Sequence, residues 1–290
     1  MRTLDRYHPA TVAVFFAATV AFLMLGMNPI LIAISLVGAI SYLACRGGGG
    51  RIHLLFLLLF WVMTLINPLV SHNGETVLFF FNQMPITLEA TLWGASSAGA
   101  VITVLYWFRA FTAIMTADRL LCLFGLLSPR LALTLSMAFR YVPLFTRQMR
   151  RVNRTQTAMG LYREDHIVSR LRGGTRVFSV MLTWALENGI VTADSMAARG
   201  YGIGRRTHFT VIRFGQADAI LLVLVVCLSA LVAVPALMGG FSVAYYPHVT
   251  VAPLDAWALV GYLAYGILCM IPTCLELWEV CRWKFLRSSI

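Results

Sequence analysis

Long apolar runs set the organisation of the chain. A helix needs about 20 consecutive apolar residues to cross the hydrocarbon layer of a membrane. Six runs approach or reach that length, at residues 10–26, 29–45, 53–70, 87–108, 217–238 and 254–276. Between the fourth and fifth runs lies a stretch that is helical in pattern but dense in arginine. The pattern predicts an all-α polytopic membrane protein with about six spans and a two-helix basic module before the last two.

Composition supports membrane residence. The chain has 290 residues, of which 59% are hydrophobic and only 12% are charged. Its mean hydropathy is +0.79, far above that of an ordinary soluble domain. We therefore expect three parts: an N-terminal membrane part (1–108), a basic two-helix module (109–213) and a C-terminal membrane part (214–290).

The distribution of charge predicts the orientation. Three loops that lie on one side of the membrane, 26–28, 71–86 and 239–253, contain neither lysine nor arginine. Because cytoplasmic loops are enriched in basic residues, these loops are predicted to lie outside, with both termini and the basic module in the cytosol. Sixteen of the 23 basic residues and five of the 12 acidic residues fall within 109–213, so the module carries the whole net charge of +11. Its partner is then an acidic lipid surface or an acidic protein surface.

A first long helix is predicted from Ser128 to Gly160. Ser128 and Pro129 are typical of a helix start, and a glycine is typical of the position just past a helix end. At 100° per residue, one side is basic and the opposite side is apolar. The basic side comprises Arg140, Arg147, Arg151 and Arg154. A stripe of this kind is most often solvated or close to headgroups, and a protein partner is the alternative.

A second helix is predicted at about 175–199, after a linker at 161–174. It is apolar on nearly all sides, so we expect it to be buried on several of them. Its acidic residues Glu187 and Asp194 are candidates for pairing with arginines of the first helix.

The two helices end in similar short sequences. The first ends in Ala158, Met159 and Gly160, and the second in Ala198, Arg199 and Gly200. Glycine just past the last turn permits a left-handed cap, and an arginine there projects beyond the helix end. A basic turn containing Arg205 and Arg206 follows the second end.

Several other functions are disfavoured. The stretch "GYGIGRRT" lacks both the spacing and the lysine of a phosphate-binding loop. The six cysteines are scattered without metal-ligand spacing, and base-stacking aromatic residues are sparse among the arginines, so no metal, cofactor or nucleic acid is expected. Five carboxylates near span ends leave a membrane-embedded enzyme acting on a lipid as an alternative. These carboxylates are Glu89, Asp218, Asp255, Glu276 and Glu279. The charge of the basic module leaves a second alternative, a membrane scaffold that binds headgroups and has no ATPase partners.

Longer sequence blocks carry a resemblance to a known family. They are "NPLVSHNGETVLF" from Asn67, "PITLEA" from Pro85, "SPRLALTLSMAFRYVPLF" from Ser128 and "ENGIVTADSMAARGYGIGRRTHF" from Glu187. In these blocks the chain resembles the transmembrane T component (EcfT/CbiQ type) of energy-coupling factor transporters, which are ABC-type importers of vitamins and metal ions.

The resemblance implies a non-catalytic subunit of a prokaryotic cytoplasmic membrane. Such a subunit joins two cytosolic ABC ATPases, which bind the ATP, to a membrane-embedded substrate-binding S component. Arginines in two short Ala-Arg-x motifs fit acidic grooves of the ATPases. Ala198, Arg199 and Gly200 match the second motif, whereas Ala158, Met159 and Gly160 occupy the place of the first. Met159 departs from the pattern, since a methionine cannot form the ion pair. The first contact is then purely apolar, weaker, or taken over by a nearby basic residue such as Arg163 or Arg154. The transported substrate is not indicated.

Overall fold

The computed structural model describes residues 3–25, 27–47, 50–71, 74–81, 84–160, 167–204, 214–253 and 255–288. Within these ranges the protein is mostly α-helical. After a short 3-10 helix at Thr3–Arg6, the elements in chain order are α1 (Pro9–Met24), α2 (Pro29–Cys45), α3 (Gly50–Val70), β1 (Val77–Phe81), β2 (Met84–Thr87), α4 (Leu88–Ile114), α5 (Ala117–Leu127), α6 (Pro129–Ala158), α7 (Ile167–Ala198), α8 (Gln216–Leu237), β3 (Val243–Ala244), β4 (Thr250–Val251) and α9 (Ala256–Ser288).

The chain divides into two compact units. The first unit comprises Met1–Thr116 with Arg213–Ile290, and the second comprises Ala117–Ile212. In the first unit α1–α4, α8 and α9 pack together, and the second unit consists of α5, α6 and α7. The all-α membrane fold predicted from the sequence is confirmed.

Four of the described helices are long and apolar enough to cross a membrane. By length and composition, the candidate spans are Ile52–Val70, Leu88–Ile114, Gln216–Leu237 and Ala256–Arg282. The helices α1 and α2 are apolar but shorter, at 16 and 17 residues. Six apolar helices therefore stand where six were predicted, while membrane crossing by the first two stays a prediction.

The core of the first unit is apolar but contains specific hydrogen bonds between distant helices. Trp107 of α4 is fully buried, and its indole N–H donates to the Ser35 hydroxyl of α2 at 2.8 Å. The buried Tyr265 of α9 donates to the carbonyl oxygen of Thr19 in α1 at 3.0 Å. In an apolar interior an unpaired polar group is costly, so these bonds favour one packing of the helices.

The first unit contains two short antiparallel hairpins, β1–β2 between α3 and α4 and β3–β4 between α8 and α9. Asn28 caps α2, and its amide donates to the Tyr262 hydroxyl at 2.8 Å. Tyr245 lies outside the helices and donates to the carbonyl oxygen of Met27 at 2.8 Å. Burial raises the pKa of the Tyr245 hydroxyl, which keeps it protonated as a donor. The sequence analysis treated these loops as plain connections and missed both hairpins.

The second unit differs from its prediction in two places. The predicted helix bounds at Ser128 and Gly160 agree with α6, but α7 begins at Ile167 rather than near residue 175. The predicted linker was wrong over its last eight residues, since Gly173 and Gly174 lie inside the helix. A separate helix, α5, also precedes α6 and was not resolved as an element in the sequence.

The expectation that α7 is buried on several sides is not met within the chain. Val177 and Met181 are buried, at 8% and 7% exposure. Other directions are open, with Phe178, Leu186 and Ile190 between 62% and 68% exposed. Among the described residues, no ion pair joins Glu187 or Asp194 to an arginine of α6, so that pairing was also wrong.

Candidate docking surface

The first helix end, Ala158 to Gly160, is a glycine-capped terminus. The backbone N–H of Met159 donates to the carbonyl oxygen of Thr155, and that of Gly160 to Thr157, both at 3.0 Å. Gly160 has φ +70°, which glycine adopts without the steric cost that a Cβ brings. The predicted left-handed cap is confirmed. Met159 is 70% exposed at this end.

The second helix end, Ala198 to Gly200, has the same backbone form. Gly200 has φ +80°, and its N–H donates to the carbonyl oxygen of Ala197 at 3.0 Å. The N–H of Tyr201 reaches back to Met196 at 3.0 Å, which completes the two-bond pattern of a Schellman cap. Arg199 is exposed, and Ile203 just beyond it is 87% exposed. A cation flanked by an apolar side chain therefore stands at the end of α7.

Basic residues also cluster on the flank of α6. Four arginines and Thr155 line a surface pocket of about 390 Å³. We call Arg147, Arg150, Arg151 and Arg154 the arginine ridge. The sequence analysis selected three of them and missed Arg150, although its spacing of three from Arg147 and four from Arg154 places it beside both.

The side of α6 opposite the ridge faces α7. Phe145 packs edge-on against Trp184, with ring centroids 5.5 Å apart. The Tyr141 hydroxyl lies 3.1 Å from the Thr192 hydroxyl and donates to the carbonyl oxygen of Asn188 at 3.4 Å. Along this contact runs an open groove of about 720 Å³, lined by Phe145, Thr146, Met149, Asn153, Gly174, Val177, Phe178, Met181, Leu182 and Ala185.

The other predicted site residues lie in several places. Arg140 and Asp194 are exposed, on α6 and α7 respectively. Arg205 and Arg206 lie outside the described residues. Because ridge and helix ends belong to one unit, the second unit presents basic and apolar contact points together.

Two of the five carboxylates that left an enzyme as an alternative, Asp218 and Glu89, bind backbone and side-chain donors in the first unit. Asp218 accepts hydrogen bonds from the backbone N–H groups of His8 at 2.6 Å and Gly215 at 2.8 Å, and so ties the start of α1 to the start of α8. Glu89 accepts from the Thr76 hydroxyl at 2.6 Å. Among the described residues no group of three or more histidine, cysteine, aspartate and glutamate side chains is placed to hold a metal ion.

Comparison with known families places this surface in context. The family model for CbiQ, described as cobalt transport protein, matches residues 2–209. The chain belongs to the CbiQ family. The match covers both helix ends and the ridge of this CbiQ-family chain.

A curated relative gives a partial match. The chain is 29% identical over 112 residues to the energy-coupling factor transporter transmembrane protein EcfT of Bacillus selenitireducens. The aligned region spans 38% of this CbiQ-family chain and 42% of the relative. The match therefore covers less than half the length of the curated relative.

Proposed function

We propose that the chain is the transmembrane T component of an energy-coupling factor importer. In this role it spans the cytoplasmic membrane of a prokaryote several times, with both termini and the second unit in the cytosol. It couples two cytosolic ABC ATPases to a membrane-embedded S component that binds a vitamin, a metal ion or another micronutrient. In this role the chain itself is not catalytic, because the partner subunits bind and hydrolyse the ATP.

The observation that carries the proposal is the pair of exposed, glycine-capped helix ends. They lie forty residues apart in sequence, at Gly160 and Gly200, on a unit that is strongly basic. A rigid helix with an exposed end transmits a push along its axis, whereas a flexible loop would absorb it. Closure of two partner subunits at these ends would thus move α6 and α7 as rods.

The open apolar surface of the second unit supports a membrane-embedded partner. Phe178 and Leu182 line the groove between α6 and α7, and they are 68% and 51% exposed. Large apolar side chains left exposed mark contact with a protein or with lipid. We assign the apolar groove between α6 and α7 to the S component, and the two glycine-capped helix ends to the ATPases.

Purification of a tagged chain from its native host tests the proposal. We expect two ABC ATPase subunits and one further small membrane protein to be retained, and ATP hydrolysis only in that complex. The isolated chain should turn over neither ATP nor lipid. Retention of no ATPase, or modification of a lipid by the chain alone, would contradict the proposed function.

A basic membrane scaffold is distinguished in the same preparation. Its binding to acidic headgroups would disappear as salt is raised, because exposed charges are screened beyond about 10 Å at 0.1 M ionic strength. It would also form no stoichiometric complex with ATPases.

A further inference from the structure

The first helix end lacks the cation that the second end presents. Met159 is 70% exposed at the place that Arg199 takes on α7. A thioether is a weak hydrogen-bond acceptor and carries no charge, so it cannot pair with a carboxylate. A groove built for an arginine would leave its acid unpaired against Met159, which is costly.

The arginine ridge supplies positive charge at a different position on α6. No Asp or Glu occurs within Pro129–Ala158. No hydrogen bond or ion pair joins the four ridge side chains to any residue that the structure describes. Four guanidinium groups around one pocket produce a strong local positive potential, which favours an anionic partner.

The geometry of α6 determines how that partner approaches. At 1.5 Å per residue, the ridge extends for about 10 Å and stops about 7 Å short of Met159. Side chains on a helix lean toward its N-terminus, so the ridge points away from the helix end. A partner that pairs with the ridge therefore lies alongside α6 and contacts Met159 only with its edge.

The corresponding positions of α7 have the opposite character. Forty residues after the ridge positions, and equally distant from the second helix end, stand Glu187, Ile190, Val191 and Asp194. Both acids are exposed, and Ile190 and Val191 are 63% and 59% exposed. An acidic surface that fits the ridge would meet like charge on the flank of α7, which disfavours it there.

We propose that α6 and α7 bind acidic protein surfaces in different ways: an acidic surface lies side-on along the ridge of α6, whereas an acidic groove holds Arg199 at the end of α7 end-on. The inference rests on the proposed function, since it takes the ATPase subunits as the partners. The two ends are then not interchangeable, and Met159 makes an apolar contact at the edge of the first interface.

A protein surface fits the ridge better than a lipid surface does. Binding of a helix to a membrane interface draws on buried apolar area as well as on attraction between basic residues and acidic headgroups. The apolar side of α6, opposite the ridge, packs against α7, with Phe145 against Trp184 and Met149 in the groove between the two helices. A membrane that bound the ridge would therefore hold α6 by charge alone.

The test compares three variants by their affinity for the ATPase pair, in detergent without added lipid. The double reversal Arg150→Glu/Arg151→Glu should weaken binding by at least about tenfold, because it places like charges in contact. Met159→Arg, which restores the missing arginine, should bring no tightening. Arg130→Glu is the matched control: it reverses an exposed charge in the first turn of α6, where a carboxylate suits the helix dipole, and it should bind like the wild type.

Each opposite result has a definite meaning. Tightening of tenfold or more by Met159→Arg would show that both ends fit the same kind of groove, and would overturn the inference. A double reversal that binds like Arg130→Glu would overturn it as well. The inference would also be overturned if the double reversal lost affinity for the ATPase pair only in nanodiscs containing phosphatidylglycerol and not in detergent. The ridge would then bind lipid. If the wild-type chain retains no ATPase pair at all, the proposed function fails instead.

Discussion

The ends of α6 and α7 have the same backbone conformation but carry different side chains. Both helices stop at an alanine and turn through a glycine with positive φ, +70° at Gly160 and +80° at Gly200. The exposed residue between them is Met159 in one case and Arg199 in the other. On the flanks the charges are reversed, with arginines on α6 and acids on α7. The comparison teaches that one capping geometry presents two different chemistries, so the backbone sets the position of a contact and the side chains select its partner.

The largest effect is expected for Arg199→Glu. Removing a buried, paired interface charge commonly costs about 2–5 kcal/mol, and reversal adds repulsion against the acid of the partner. We expect loss of ATPase co-purification, or ATP hydrolysis that no longer drives uptake. Arg176→Glu, an exposed reversal elsewhere on α7, is the control. Normal assembly and transport by Arg199→Glu would remove the second helix end from the coupling mechanism.

Truncation to alanine ranks the two ends directly. Arg199→Ala strands the acid of its partner, whereas Met159→Ala removes only an apolar contact, worth up to about 3 kcal/mol when fully buried. We therefore expect Arg199→Ala to weaken assembly more, as measured by the dissociation constant of the ATPase complex. The reverse order would make the first end the main anchor.

The shared capping geometry is tested by Gly160→Ala and Gly200→Ala. A left-handed conformation costs an L-residue about 1–2 kcal/mol, and near neither glycine would a Cβ meet an atom closer than 3.5 Å. Both variants should lower the thermal midpoint by similar amounts.

Gly189→Ala is the matched control for these two variants. Gly189 lies in the interior of α7, and a Cβ there meets nothing within 4 Å. Alanine is favoured over glycine in a helix interior by about 1 kcal/mol, so this variant should raise the midpoint. A destabilisation at only one of the two caps would show that the helix ends are not held in the same way.

The smallest effect is expected for Tyr141→Phe. It removes the hydroxyl that bridges α6 to Thr192 and Asn188 of α7 and leaves the ring in place. Loss of such a hydrogen bond costs about 0.5–1.5 kcal/mol. Thermal unfolding should register a small decrease while ATPase binding stays unchanged. A large loss of binding would show that the two helices must keep this spacing to present both ends.

The bounds of α6 could be read from the sequence and the start of α7 could not. Pro129 and Gly160 are local signals that act through backbone conformation, and Ser128 takes the N-cap position although its side chain makes no capping hydrogen bond. Gly173 and Gly174 resemble a linker, because glycine costs a helix about 1 kcal/mol each. Gly173 is buried in line with Val177 and Met181, and packing on that stripe offsets the local cost.

By itself the sequence determined the apolar helices, the two capped ends and the concentration of charge in one unit, because hydropathy, periodicity and positive φ are local properties. Only the tertiary structure decided that most of α7 is open and that Asp218 binds the start of α1 from 210 residues away. These depend on which elements meet in space, and pairing between distant residues leaves no periodic trace in a single chain. The missing arginine at Met159 and the basic side of α6 were both visible in the sequence, and the structure added Arg150 to that side.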